Sequence, residues 1–143
     1  NQVGGDGGPA LRRARAQLAQ RDTTGALISL RRGLREDILD PELHGQFSDV
    51  LLSKVELVVD GQVEAFATRV LAPESPLAWR RWGIVLASEN RHAESLAALD
   101  HYFALEPQAA ERDADAIRIR AHELRILPGG DIAQRLMKEE LTR

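Results

Sequence analysis

Apolar residues recur along this chain at intervals of three and four, the spacing that places them on one face of an α-helix. The pattern is clearest from the stretch WRRWG onward, where apolar or small residues occupy positions i, i+3, i+4 and i+7: Trp79, Trp82, Gly83 and Leu86. Ser75 and Pro76 precede this stretch and are typical of an N-cap and a first helical turn. The pattern therefore predicts a helix that begins near Pro76.

A second amphipathic segment follows after a polar break at residues 89–91, Glu-Asn-Arg. Its apolar side is formed by Ser95, Leu96, Leu99, Tyr102 and Phe103. Because the connection is short, we expect the two helices to pack antiparallel as a hairpin.

The two preceding segments predict the same arrangement. In the first, a turn at residues 21–24 separates two apolar stripes, made of Leu11, Ala14 and Leu18 and of Ala26, Leu27, Leu30, Leu34 and Ile38. In the middle segment, Asp40 and Pro41 are typical of a helix start, and Asp60-Gly61 predicts the break between helices. The stripes there are Leu43, Phe47, Val50, Leu51, Val55 and Val58, then Ala65, Phe66, Val70 and Leu71.

The stretch VELVVDGQVEAF, residues 55–66, also has an alternative interpretation. Its apolar residues partly alternate, and Asp-Gly favours a tight β-hairpin turn. A lone two-stranded ribbon among helices would have little to pair with, so the helical interpretation is favoured.

Prolines mark a repeat of nearly constant length. Pro9, Pro41, Pro73 and Pro107 are separated by 32, 32 and 34 residues, and an interval of this size is typical of stacked structural repeats. A further helix is predicted over 108–127, ending at Pro128-Gly129-Gly130, and a short last helix over 131–143, capped by Asp131. Residues 1–8, NQVGGDGG, are predicted to be a disordered leader. The pattern as a whole predicts an all-α chain.

The segment 76–109 resembles a tetratricopeptide (TPR) repeat. Eight positions of the family's 34-residue pattern carry an acceptable residue: Trp79, Trp82, Gly83, Leu86, Ser95, Leu99, Tyr102 and Pro107. Only Tyr102 is larger than the usual residue. The resemblance covers most of residues 9–109. The repeat at about 74–107 matches the pattern specifically, and the repeats at about 9–40 and 41–73 are degenerate.

The resemblance implies a short right-handed TPR-like α-solenoid in which antiparallel hairpins stack over residues 9–127 and the C-terminal helices cap the array. Such arrays bind partner proteins or peptides along a concave groove lined by one helix of each hairpin. The lining positions that the resemblance implies are Arg12, Ala16, Leu77, Arg80, Arg81, Ile84, Ala87 and Ser88. The middle repeat is too degenerate for its groove residues to be assigned.

Composition fits a single soluble domain of 143 residues, with 43% hydrophobic and 29% charged residues and a formal net charge of −3. No apolar run is long enough to predict a membrane span. There is no cysteine, which excludes disulfides and thiolate metal sites. The compartment stays open between bacterial cytoplasm and periplasm, including the soluble domain of a membrane-associated protein.

The residues that could carry chemistry form no recognisable catalytic or metal-binding arrangement. His44, His92, His101 and His122 lack the spacing of metal pairs, and we interpret them as solvated helix residues. Asp113 and Asp115 are two apart on a predicted helix, so they favour helix N-terminal charges rather than a catalytic pair. The sequence predicts no enzyme and no cofactor.

Charge is distributed unevenly between the first two segments. Residues 11–35 hold seven arginines and one acid, a balance of +6, whereas residues 36–75 hold nine acids against Lys54 and Arg69, a balance of −7. The asymmetry can be pure solvation, a groove with opposite signs on its two sides, or the basis of head-to-tail association. Nucleic acid is not favoured, because the basic segment lacks stacking aromatics.

The leading hypothesis is a non-catalytic scaffold or adaptor domain that binds another protein. Arginines at the implied groove favour an acidic partner segment through bidentate pairing. By family analogy alone, such a domain is expected to function within a bacterial envelope, secretion or polysaccharide-export assembly. The alternatives are a self-oligomerisation module and a regulatory domain appended to an enzyme or membrane protein.

Overall fold

The computed structural model describes residues 8–127, and within that range the regular secondary structure is all helical, with no strand. Its eight α-helices are α1 (Gly8–Ala19), α2 (Thr23–Glu36), α3 (Pro41–Leu52), α4 (Val58–Leu71), α5 (Pro76–Ser88), α6 (His92–Leu105), α7 (Ala109–Arg112) and α8 (Ala114–Ile126). A 3₁₀ turn, Val55–Leu57, precedes α4. The all-α prediction is confirmed. The predicted leader, the Pro-Gly-Gly stop and the helix at 131–143 lie outside the described residues, apart from Gly8, which begins α1.

Aspartate side chains cap the N-termini of α2 and α3, and the predicted start of α3 at Asp40 and Pro41 is confirmed. The carboxylate of Asp22 accepts a hydrogen bond from the Gly25 N–H at 2.9 Å. Asp40 caps α3 in the same way through the Glu42 N–H at 2.8 Å, with Pro41 in the first turn. Each carboxylate satisfies backbone donors that a helix N-terminus leaves without an intrahelical acceptor.

The chain divides into two compact units between Ala78 and Trp79, so that the first three residues of α5 belong to the first unit and the rest of it to the second. In the first unit α1 packs on α2, α2 on α3 and α3 on α4. Its core is almost wholly aliphatic and consists of Leu11, Ala14, Ala26, Leu27, Leu30, Leu34, Leu43, Val50 and Leu51.

The break in the middle segment lies earlier than predicted. Asp60 and Gly61 do not end a helix but lie inside α4, and the chain turns at Ser53 and Lys54 instead. Residues 55–66 are helical throughout, so the β-hairpin alternative is wrong. Asp-Gly favours a turn only where the chain reverses direction. In this hairpin the chain reverses at Ser53 and Lys54, before it reaches Asp60 and Gly61.

Gly61 has a packing role instead. A Cβ atom at this position would lie 2.7 Å from Leu52 Cγ and 3.0 Å from the Leu52 backbone nitrogen. The Ser48 hydroxyl donates to the Gly61 carbonyl at 2.7 Å, across the same contact. The glycine therefore lets α3 and α4 approach more closely than any side chain would allow.

The second unit is built on the hairpin of α5 and α6, with α8 packed on α6 and α7 on α8. Here Gly83 plays the part of Gly61, since its Cβ would lie 2.8 Å from Leu99 Cγ. The Ser95 hydroxyl donates to the Gly83 carbonyl at 2.7 Å. The predicted helix over 108–127 is divided at Asp113 into α7 and α8.

A pair of small, buried residues thus recurs at corresponding places in the three hairpins. The pairs are Ala14 with Ala26, Ser48 with Gly61, and Gly83 with Ser95, which are 12, 13 and 12 residues apart. The pair in the middle hairpin was not recognised from the sequence, because Asp60-Gly61 was predicted to be a turn between helices and not part of α4.

The remaining signature residues of segment 76–109 differ in burial. Leu86, Leu99 and Tyr102 are buried, whereas Pro107 is exposed. Trp79 packs at the edge of the second core, and its ring centroid lies 4.2 Å from that of His101. Trp82 is half-buried, with the Arg91 guanidinium 5.8 Å from its ring centroid. The tryptophans therefore border the hairpin core and do not fill its centre.

Candidate functional site

A polar junction in the second unit joins α5, α6 and α8 at the carboxylate of Asp113. Arg80 donates to it in a bidentate manner, Nε to Oδ2 at 2.6 Å and an Nη to Oδ1 at 3.1 Å. The Tyr102 hydroxyl donates to Oδ2 at 2.6 Å. Asp113 also caps α8, because Oδ1 accepts from the Ala116 N–H at 3.2 Å. One carboxylate therefore ties three helices together.

Protonation in this junction follows from its contacts. The Arg80 hydrogen bonds hold the pKa of Asp113 well below its usual range. Burial, and then the bond to Asp113, raise the pKa of Tyr102 to about 12. Tyr102 therefore stays a neutral donor and Asp113 a charged acceptor at physiological pH. These states stabilise the junction and leave neither group suited to proton transfer near neutrality.

Arg80 was a predicted groove residue, and the structure gives it a structural partner instead. Its guanidinium is directed to Asp113, 33 residues further along the chain. Sequence spacing could not find this pair, because the contact depends on which face of α8 meets α5. Substituting Arg80 therefore tests the fold as much as binding.

An open cleft of about 440 Å³ lies between the end of α5 and α8. It is lined by Ala87, Ser88, Arg118, Ile119, His122, Glu123 and Arg125. Two predicted groove residues, Ala87 and Ser88, thus belong to a real concavity. The lining residues from α8 lay outside the sequence prediction, which treated that helix only as a cap.

The rim of the cleft is basic, and the acid on its floor is hydrogen-bonded within the protein. Arg118 and Arg125 are exposed, and Arg118 is held by Asp115 at 3.1 Å, one turn earlier on α8. The one acid among the lining residues, Glu123, is buried and hydrogen-bonded to Nδ1 of His92. Glu123 is therefore engaged by His92 and is not accessible to a ligand. The accessible charged side chains among the lining residues are arginines, which favour an anionic ligand.

The other predicted groove residues are not brought to this cleft. Arg12 and Ala16 are exposed on α1, and Leu77 is exposed in the first turn of α5; all three belong to the first unit. Arg81 and Ile84 lie on α5 in the second unit and are half-buried.

The interpretation of the histidines as solvated residues is wrong for His44. Its side chain lies between α3 and α4, with Nδ1 2.7 Å from Glu64 Oε1 and Nε2 2.5 Å from the Ile38 carbonyl oxygen. Both neighbours can only accept, so the doubly protonated ring satisfies both. His101 and His122 are exposed, as predicted, and His92 is half-buried. Across residues 8–127, no group of three or more potential ligands could hold a metal ion.

We expect His44 to make the first unit more stable in mild acid. The hydrogen bond to Glu64 raises the pKa of His44, against the opposing effect of burial. The extra stability is then fully present below the ordinary value of 6.5 and is lost as the pH rises through the raised value. Urea unfolding at several pH values should show this fall in wild type and not in His44→Gln. A matched change at exposed His122, His122→Gln, should leave the fall intact, and a pH profile unaltered in His44→Gln would contradict the prediction.

The sequence matches no protein-family model, and it matches none of the curated proteins either. The functional assignment therefore depends on the geometry of the described residues. Within that part of the chain, no helix combines the length and apolar character needed to cross a bilayer.

Proposed function

We propose that this chain is a non-catalytic, TPR-like interaction scaffold whose second unit binds an acidic segment of a partner protein. The cleft between α5 and α8 carries the proposal. It combines two exposed arginines, small residues on the facing helix and an apolar wall at Ile119. A peptide with alternating acidic and apolar side chains matches this lining, since arginine pairs with carboxylates in a bidentate manner.

The recurrence of small residues supports the TPR-like part of the proposal. In the second and third hairpins, a serine hydroxyl donates to the carbonyl of a glycine on the facing helix, at 2.7 Å in both. In the first hairpin, two buried alanines hold the corresponding places. A repeated close contact of this kind is the feature by which similar hairpins can stack in a regular array. The proposal includes such stacking within each unit, as in a short right-handed α-solenoid.

The direct test is the binding of a labelled peptide of alternating glutamate and leucine, followed by fluorescence anisotropy. The double variant Arg118→Glu with Arg125→Glu should weaken binding about tenfold or more, because two charge-assisted contacts are reversed. Higher ionic strength should weaken wild-type binding, and the same peptide with glutamine for glutamate should bind poorly.

The matched control is Arg32→Glu with Arg35→Glu, which makes the same change of charge on exposed positions of α2. It should bind the peptide as wild type does. Circular dichroism should show that both double variants keep their helix content. Equal affinity of wild type and the Arg118/Arg125 variant would refute the assignment of the cleft.

A further inference from the structure

Helix α4 is apolar on two opposite faces. One face packs on α3 through Gly61, Ala65 and Thr68, which are all buried. The other presents four large apolar side chains that are between 45% and 71% exposed: Val59, Val63, Phe66 and Val70. We call these four residues the α4 stripe. Single exposed apolar residues are common on protein surfaces, but a continuous row along a helix marks an interaction surface.

The spacing of the α4 stripe is that of helix-on-helix packing. Its members are separated by four, three and four residues, which keeps them along one seam over about three turns. The docking element that fits such a seam is a second helix with the same spacing.

The stripe also has an internal symmetry. Val59 and Val70 are equally far from the point midway between Glu64 and Ala65, and so are Val63 and Phe66. Turned end over end about that point, α4 places its stripe on an identical stripe. A surface complementary to itself in this way is what a two-fold symmetric contact requires.

From this self-complementarity we infer that a second copy of this chain covers the α4 stripe, with the two α4 helices antiparallel. Val59 then meets Val70 of the second copy, and Val63 meets Phe66. The contact lies wholly in the first unit and is separate from the cleft proposed for the acidic segment.

Charge selects the antiparallel direction. Asp60 lies in the first turn of α4 and Arg69 in the last. The antiparallel pair brings each acidic end level with the basic end of the other helix, and it also opposes the two helix dipoles. Two Asp60 carboxylates are then about 13 Å apart along the pair, at 1.5 Å per residue over nine residues. A parallel pair would place them side by side.

The oligomeric state tests the contact. Analytical ultracentrifugation of the full chain should show a dimer that dissociates on dilution. Val63→Glu should raise the dissociation constant about 100-fold or more, because it places a carboxylate in each half of the apolar seam. Ile28→Glu makes the same change at an exposed position of α2 and should leave the dimer intact.

A second experiment tests the direction of the helices. The chain has no cysteine, so introduced thiols report without background. A mixture of Val59→Cys and Val70→Cys chains should form a disulfide-linked dimer under mild oxidation, since these positions face each other. Val59→Cys alone should not, because its two copies would lie about 16 Å apart along the pair, too far for a disulfide.

Several results would overturn the inference. These are a monomer at all accessible concentrations, a dimer unaffected by Val63→Glu, efficient cross-linking of Val59→Cys alone, and salt-sensitive oligomers larger than a dimer. The last result would indicate head-to-tail association of the basic and acidic segments. The Arg118/Arg125 variant should still dimerise, and Val63→Glu should still bind the acidic peptide, so the two proposals fail separately.

Discussion

Replacing Asp113 with alanine should destabilise the protein by about 3–5 kcal/mol. The estimate combines a lost N-cap of about 1 kcal/mol, a buried Tyr102 hydroxyl without its acceptor at about 1–3 kcal/mol, and a partly exposed ion pair with Arg80 at about 1 kcal/mol. Urea unfolding followed by circular dichroism measures the loss. Asp115→Ala, two residues along the same helix and exposed, should cost about 0.5 kcal/mol or less. A loss under about 1 kcal/mol for Asp113→Ala would show that the contacts of Asp113 contribute little to the stability of the fold.

The same junction predicts an acid-sensitive stability. Because the folded-state pKa of Asp113 is depressed, its contribution is present above the ordinary value of 3.8 and is lost as the pH falls through the depressed value. The difference in unfolding free energy between wild type and Asp113→Asn should therefore shrink below pH 3.8. A constant difference would mean that the carboxylate's charge contributes nothing.

Replacing Gly83 with leucine should cost about 2 kcal/mol. Overpacking against Leu99 costs about 3 kcal/mol, since even a Cβ would lie 2.8 Å from its Cγ, and a better helix former returns about 0.8 kcal/mol. Thermal or urea unfolding measures the loss. Ala97→Leu, on the exposed face of α6, adds a similar volume and should be close to neutral.

A double variant distinguishes overpacking from other causes. Leu99→Ala removes the clashing side chain, so the cost of Gly83→Leu should fall strongly in that background. Full additivity of the two losses, or a Gly83→Leu variant as stable as wild type, would refute this close contact.

Local capping explains which helix starts were predictable. Asp40 and Ser75 act on backbone groups within three residues, so their effect is present in the sequence itself. Asp60-Gly61 misled for the opposite reason. The dipeptide is compatible with a turn, but the close approach of α3 requires the glycine inside a helix.

The candidate sites were predictable only in part. Ala87 and Ser88, two of the predicted groove residues, lie on the wall of a cleft, whereas Arg118 and Arg125, which also line it, were not identified. Likewise, nothing near His44 in the sequence indicates Glu64, 20 residues away. Such pairs depend on how one helix is rotated relative to another about its axis. The apolar periodicity of a single helix does not determine that rotation.

The sequence by itself determined that this chain is helical, where most helices begin, and that its hairpins follow one another at a near-constant interval. It could do so because apolar periodicity and capping act within a few residues. The tertiary structure decided that Arg80 binds Asp113, that His44 is buried as a donor to two acceptors, and that α4 has a second apolar face in solvent. The first two features arise when side chains far apart in sequence share one desolvated space. The third arises because α4 packs on α3 through only one of its two apolar faces, and the packing of whole helices decides which face that is.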